Sequence, residues 1–310
     1  MNLVHMKSAY RSGAITKQQY IDEMNRLHAV LCDYAEFIKD TGIRRIEIND
    51  GLVMMTSRAI GIKIVCNRND KRLAPIEILN FGAYEPTELS LMLRLIDPGS
   101  IIFDIGASVG WYAMNVSKLI ADAVVHAFEP IPSTFNYLRQ NVDANQLTNI
   151  RLYNFGFSNV EKKQKFYLPS GGADNASAAN LTERSDVRTI WCNVKKLDNF
   201  IHKSDCWVDF IKCDVEGAEL FVFQGGIETI SRCQPMILTE MLRKWAAKFN
   251  YHPNEIIQLL RGMDYRCFTG KGDGLAEFHL MDENTVETNF FFLHAIRHSN
   301  KIELLAKKTK

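Results

Sequence analysis

Charge of either sign is not in surplus: 37 Lys and Arg stand against 36 Asp and Glu in 310 residues, a formal net charge of +1. Nucleic-acid binding by bulk electrostatics needs a basic excess to neutralise phosphates, so that class is set aside. No apolar run approaches the roughly 18 residues of a membrane span. The opening residues, Met1 to Lys7, hold no apolar core of the length a secretory signal carries, which predicts a cytoplasmic chain. The seven Cys, at 32, 66, 192, 206, 213, 233 and 267, form no CxxC pair. That odd, scattered set reads as reduced thiols in apolar space, not as a disulfide framework. The Asn-x-Ser/Thr matches at Asn115, Asn175 and Asn180 are then coincidental. There is no repeat at solenoid spacing. What is present, 46% hydrophobic and 24% charged, is a globular chain long enough for one large α/β domain with an extension.

Residues 16–40 carry apolar side chains at helical spacing, from Tyr20 and Met24 to Phe37 and Ile38, with Thr16 placed to cap the start and Gly42 just past the end. Segments 45–48 and 62–65 alternate as antiparallel strands, the first followed by the turn Asn49-Asp50-Gly51. Residues 1–80 are therefore read as an N-terminal α+β extension. A helix follows over 85–96, with Pro86 in its first turn, where the missing N–H is harmless. Apolar runs at 101–105, 124–128, 150–154, 208–213, 236–239 and 265–268 then alternate with amphipathic stretches, the mark of a parallel sheet covered by helices on both faces. Segment 288–294 follows the last run without a helix between and is expected to be antiparallel. The main domain spans 81–296, and 297–310 is a basic tail, frayed and solvated. Within the domain, 160–195 replaces an expected helix by a polar loop around 169–188, flanked by strand-like 165–168 and 190–194. A loop of that length reads as a substrate lid.

The strongest local signal lies at 101–111, where an apolar strand ends in Asp104 and a turn with Gly106 and Gly110 opens a helix over 111–121. Glycine lets the chain turn sharply and lets a ligand lie against the backbone. Nineteen residues beyond Gly110, the next strand ends in Glu129-Pro130, in the crevice where a doubly wound sheet binds nucleotides and where a carboxylate can accept ribose hydroxyls. Dinucleotide binders present G-x-G-x-x-G and bare helix N–H groups to a pyrophosphate. Here the third glycine is missing, and the Asp104 anion would repel a pyrophosphate. It suits a ligand with an ammonium and a sulfonium, which describes S-adenosylmethionine.

A second cluster, Asp209 to Glu219, crowds Asp214, Glu216 and Glu219 at the end of a buried strand. Capping of the next helix explains Glu219 and can explain Glu216. It explains Asp214 less well, because that residue sits at the strand's C-terminal mouth. Glu240 ends the following strand in the same crevice.

These pieces resemble the FkbM-type S-adenosylmethionine-dependent methyltransferases: FDIGASVGWYA (103–113), AFEP (127–130), KKLDNF (195–200), DFIKCDVEGAELFVFQGG (209–226) and PMILTE (235–240), in order over residues 84–295. The resemblance implies a class I methyltransferase (Rossmann-like) fold with a seven-stranded, mostly parallel sheet, and O-methylation of sugars, glycans or secondary metabolites. By position Asp104, Gly106 and Gly110 would line the methionine end and Glu129 the ribose. Glu85, Ala107, Pro130, Ser158 and Asp214 complete the cofactor-binding set. Phe157-Ser158-Asn159 departs from the family's more usual small-residue-Leu-Ser-Asp, which weakens the assignment of adenine contacts there.

Methyl transfer to a hydroxyl needs the acceptor held in line and its proton removed. Asp214 is the first candidate base and Glu216 the alternative. Asp214 with Glu240 would suit Mg²⁺, though two ligands are too few to infer a metal. His126 and His294 lie in strands and read as core residues; His252 and His202 have no sequence-adjacent partner. Trp111 packs either on the cofactor or in the helix core. The expected partner is a small-molecule or glycan acceptor, without nucleic acid or membrane span. Two other readings stand: an NAD-dependent oxidoreductase on the same fold and a non-catalytic cofactor-binding scaffold. The 16–40 helix either covers the sheet domain or pairs with a second copy.

Overall fold

Strands with near-continuous apolar character can only be central ones, and here they form one sheet. The computed structural model describes residues 2–67, 74–168, 176–181, 187–204 and 206–306. Its main strands are β4 (Ile101–Ile105), β5 (Val124–Phe128), β6 (Ile150–Tyr153), β10 (Phe210–Cys213), β11 (Met236–Glu240), β12 (Tyr265–Lys271), β13 (Gly274–Phe278) and β14 (Asn289–His294). They lie in the order β13-β12-β14-β11-β10-β4-β5-β6. Pairing is parallel from β6 to β11, and β14 runs antiparallel between β11 and β12, as segment 288–294 predicted. The seven expected strands are joined by an eighth, β13, which pairs antiparallel outside β12.

Successive residues of a strand point to opposite faces. Ile102, Val125 and Leu238 thus face one core, while Phe103, Phe128 and Ile237 face the other. The first core is closed by α3 (Ala74–Phe81), α4 (Pro86–Leu95), α5 (Trp111–Leu119), α6 (Pro132–Ala144) and α12 (Ser299–Leu305). The second is closed by α7 (Leu197–Ser204), α8 (Glu219–Gln224), α9 (Ile227–Cys233), α10 (Arg243–Ala246) and α11 (Asn254–Arg261). The tail expected to be solvated is in part α12, because Ile302 and Leu305 bury their side chains; residues 307–310 lie outside the described residues. None of the seven Cys forms a disulfide. Among the described residues no helix is long and apolar enough to cross a membrane.

N-terminal to this, α1 (Leu3–Arg11) and α2 (Lys17–Phe37) make a hairpin. Thr16 caps α2 as expected: its hydroxyl accepts the Gln19 N–H, and the Gln19 side chain accepts the Thr16 N–H. A meander follows, β1 (Ile43–Asn49), β2 (Leu52–Ser57) and β3 (Lys63–Cys66). Ile43, Met55, Ile62 and Ile64 share a continuous core with the main sheet. The open edge of β3 is closed by side chains of α6. Asn141 accepts the Val65 N–H at 2.8 Å and donates to the Val109 carbonyl at 2.8 Å, and Asn145 accepts the Lys63 N–H and donates to its carbonyl. An unpaired strand edge is thereby satisfied without another strand.

Between β6 and β10 a second small sheet is inserted in the order β7-β9-β8, formed by β7 (Gly156–Phe157), β8 (Lys162–Leu168) and β9 (Arg188–Lys195). It contains the two strand-like segments read from the sequence. Of the expected lid, 169–175 and 182–186 lie outside the described residues. Ser177, within it, bridges to Tyr167 of β8 and is buried.

Asn141 is fully buried, so Asn141→Ala leaves two backbone groups unpaired in the core. The expected loss is about 2–4 kcal/mol of stability, read by urea unfolding, and a change below about 0.5 kcal/mol would refute the docking role.

Candidate active site

The chain winds outward in opposite directions from β4 and β10, so the crevice beyond their carboxyl ends is a topological switch point, where open α/β sheets bind ligands. A cavity of about 300 Å³ lies there. One side is made by strand ends: Ile105, Gly106 and Ser108 after β4, Glu129 and Pro130 after β5, and Asp214 to Glu216 after β10. The insertion makes the other, with Lys162, Gln164, Phe166, Ala176, Ala178 and Val194.

The β4 loop is held by its own backbone. The Gly106 and Ala107 N–H groups both donate to the Phe128 carbonyl, each at 3.0 Å, and the Ser108 N–H donates to the Glu129 carboxylate at 3.1 Å. These three N–H groups are therefore engaged inside the protein and do not face a phosphate. Gly106 has φ +79°, and a Cβ there would collide with the Asp214 carbonyl, so the loops after β4 and β10 touch through backbone. Glu85, Ser108 and Glu216, none of them glycine, also adopt positive φ around this crevice. Such strain persists where surrounding contacts over-determine it, often at functional sites.

Glu129 is buried and accepts the Ile131 N–H at 2.8 Å besides that of Ser108. Burial pushes its carboxyl up to about 7 against those two hydrogen bonds. Glu219 plays the capping part expected of it: it accepts the Val215 and Gly217 N–H groups, and the Tyr251 hydroxyl supports it and the Gly217 carbonyl. Asp214 is partly open to the cavity.

Behind Asp214 stands a residue that the sequence reading missed. Lys212, inside fully buried β10, places its ammonium 3.1 Å from Asp214 Oδ2 and 3.9 Å from Asp104 Oδ1, over the Tyr112 ring at 5.1 Å. Burial alone would lower its pKa, but the Asp214, Asp104 and Glu85 carboxylates hold it above its ordinary value. The signal was available, because a lysine between Ile211 and Cys213 of an apolar strand must find anionic partners. Asp104 is 1% exposed and accepts no hydrogen bond of normal geometry; burial raises its pKa and the Lys212 charge opposes the rise. Glu85 takes the Tyr112 hydroxyl at 2.6 Å. Glu240 is pushed up to about 10, by burial first and then by Asp214 and Glu216.

Of the residues singled out in the sequence, Gly106, Glu129, Pro130, Ser158, Asp214 and Glu216 line the cavity, while Glu85, Asp104, Ala107, Gly110 and Glu240 do not. Tyr84 and Phe166 line it and were not foreseen. Trp111 is buried edge-on against Tyr84, so it packs in the helix core. His126 is buried on Phe103 with its Nδ1 3.2 Å from the Tyr153 hydroxyl, and His294 accepts the Ile296 and Arg297 N–H groups. His252 accepts the Asn254 N–H, and His202 pairs with Glu228 at the surface. None of the four lines the cavity. Among the described residues no group of three His, Cys, Asp or Glu is placed to hold a metal.

Residues 104–267, more than half of the chain, match the family model of the methyltransferase FkbM domain. The chain belongs to the FkbM methyltransferase family. The matched span begins at Asp104 and includes the loops after β4, β5, β10 and β11, and the sheet is the one this family implied, with β13 added. Among similar proteins, hexuronic acid methyltransferase AglP of Haloferax volcanii is 32% identical over 142 residues, covering 46% of this chain and 56% of that protein. The 2-O-methyltransferase NoeI of Sinorhizobium fredii is 29% identical over 157 residues, covering 46% of this chain and 63% of that protein. The match thus spans less than two thirds of either relative. A crystal structure of an FkbM methyltransferase from Methylobacillus flagellatus superimposes with a TM-score of 0.41 at 19% identity, covering 66% of this chain and 47% of that one.

Replacing Lys212 by Met leaves Asp104 and Asp214 facing one another without a counter-charge. Breaking a buried pair in this way costs about 3–5 kcal/mol. Asp104, raised by burial, then loses the charge that opposed the rise, so the loss is expected to shrink as pH falls from 8 to 5. Denaturant unfolding at the two pH values checks this; an equal loss at both would show that packing and not charge is responsible.

Proposed function

We propose that this FkbM-family chain transfers a methyl group from S-adenosylmethionine to a hydroxyl of a sugar, glycan or similar metabolite. The observation that carries the reading is the engagement of the Gly106, Ala107 and Ser108 N–H groups by Phe128 and Glu129. A dinucleotide would need those donors for its pyrophosphate. A ribose with a cationic tail needs instead what is there, a carboxylate at a strand end and further acids along the crevice. The activities of the two relatives, on a hexuronic acid and at a 2-O position, support a carbohydrate acceptor.

The residues present fit this cofactor. Glu129 would have lone pairs left for the two ribose hydroxyls, and Pro130 and Phe157 would offer apolar surface to a flat heterocycle. When bound, S-adenosylmethionine supplies an electrophilic methyl on a sulfonium. Lys212 fixes one oxygen of Asp214, leaving the other free, where it would accept the proton of an acceptor hydroxyl. Glu216 lines the same cavity as Asp214 and is the alternative base. A Mg²⁺ held by Asp214 and Glu240 is the finer variant, read by whether added EDTA abolishes turnover.

The first test is isothermal titration with S-adenosylmethionine, S-adenosylhomocysteine and NAD, followed by labelled methyl transfer to uronic-acid-bearing and neutral oligosaccharides. Binding of NAD alone would overturn the proposal. Asp214→Asn is expected to keep S-adenosylhomocysteine affinity within about threefold and lose about 10²–10⁴ in turnover. Normal turnover in that variant would remove Asp214 as base.

The raised carboxyl of Glu129 gives a pH signature. Ribose hydroxyls bind the ionised form, so affinity for S-adenosylhomocysteine is expected to be about tenfold weaker at pH 6 than at pH 8, a slope that Glu129→Gln abolishes. Stability of the ligand-free protein runs the other way. The folded value lies above the unfolded one, so this contribution is full below the ordinary carboxylate range and is lost as pH rises through about 7.

A further inference from the structure

The basic surplus that the whole chain lacks is gathered in one hairpin. Segments 161–168 and 187–196 hold Lys162, Lys163, Lys165, Arg188, Lys195 and Lys196 against Glu161, in a protein of net charge +1. Side chains of a strand alternate between its faces, so the register of β8 with β9 sorts them. Lys162, Gln164, Phe166 and Val194 face the cavity. The opposite face pairs Lys163 with Asn193, Lys165 with Trp191 and Tyr167 with Thr189. Trp191 is 65% exposed, and among the described residues neither a ring nor a cation covers it. Its strand neighbours on that face are the Thr189 hydroxyl and the Asn193 amide. Lys165 lies directly across, with its ammonium 5.2 Å from the centre of the Tyr167 ring. Among the described residues Lys163 and Lys165 enter no ion pair, and Glu161, at the far end of the face, accepts the Lys196 N–H at 3.5 Å.

We propose that this outer face binds an acidic glycan segment, a carboxylate-bearing stretch of the acceptor that lies outside the cavity. The choice of a glycan rests on the carbohydrate acceptor proposed above. A sugar ring can lay its C–H face on the negative face of the indole. Its hydroxyls then meet Thr189 and Asn193, each about 7 Å along the strand from Trp191. Carboxylates on the neighbouring sugars meet the ammonium groups of Lys163 and Lys165. Other polyanions fit this face less well. A membrane surface takes up contiguous apolar side chains, whereas Trp191 stands between a threonine and an asparagine. Single-stranded nucleic acid stacks successive bases on successive rings, and the second ring here, Tyr167, already lies under Lys165. One hairpin carries both this face and a wall of the cavity, so a glycan bound outside is kept beside the site where its end would react.

Isothermal titration of the full chain with hexagalacturonate, and with maltohexaose as the neutral control, tests this. Hexagalacturonate is expected to bind at least about tenfold more tightly than maltohexaose at low salt, and to lose that advantage as salt screens the lysines. Trp191→Ala is expected to weaken its binding at least about tenfold, and Trp191→Phe, which keeps a ring, by less than about threefold. The double variant Lys163→Gln, Lys165→Gln is expected to bind it no better than maltohexaose. Affinity for S-adenosylhomocysteine, unchanged within about twofold, shows that each variant is folded. Should Trp191→Ala misfold, the lysine variant is read in its place. The proposal is overturned if the unsubstituted chain does not bind hexagalacturonate, or if binding survives these substitutions. Tighter binding of oligothymidylate or of phosphatidylserine vesicles overturns it as well. A chain that binds hexagalacturonate through Trp191 and ignores S-adenosylhomocysteine loses the methyl-transfer reading and keeps this one.

Discussion

A lysine ammonium set inside an all-apolar strand constrains everything around it. Lys212 cannot stay in β10 without anions, and it has them from three directions: Asp104 on the neighbouring strand, Asp214 two residues on, and Glu85 from the turn before α4. Each comes from a different element, so one buried charge fixes the relative positions of β4, β10 and the turn that carries Tyr84. Hydrophobic packing alone would leave strand ends free to slide by fractions of an ångström; a charge that must be matched does not. The same charge keeps Asp214 oriented toward the cavity.

The loops above these strands obey a related rule. The N–H groups of Gly106, Ala107, Ser108, Val215 and Gly217 are satisfied inside the protein, by Phe128, Glu129 and Glu219, before any ligand arrives. The crevice is therefore shaped in advance and acidic in character, and little ordering remains to oppose binding. Its selectivity follows from what those donors cannot do as much as from what the acids can.

The α/β alternation was legible because β4, β5, β10 and β11 are buried on both faces and read as apolar runs. The order of Asp104, Gly106, Glu129 and Asp214 was legible because strand ends fall at fixed intervals in such a sheet. The insertion was only half legible: Lys162, Lys163 and Lys165 make β8 read as a solvated stretch, although Phe166 points into the cavity. Chain order could not reveal that Asp104 sits beneath the loop and not in the cavity, since this depends on Lys212 drawing it inward. The edge contacts of Asn141 and Asn145 with β3 were equally hidden. Two asparagines four apart on a helix look like surface residues until a strand edge lies beside them.

The hydroxyl of Ser177 donates to the backbone carbonyl of Glu216 at 2.8 Å, joining the insertion to the segment that carries Asp214. Because the latch grips the main chain, it is indifferent to the side chain at position 216. Drift at that position can change what the pocket accepts without loosening the insertion, whereas loss of the serine would loosen it whatever stands at 216. Substrate range and mechanical coupling can thus evolve on separate residues, although only one hydrogen bond separates them.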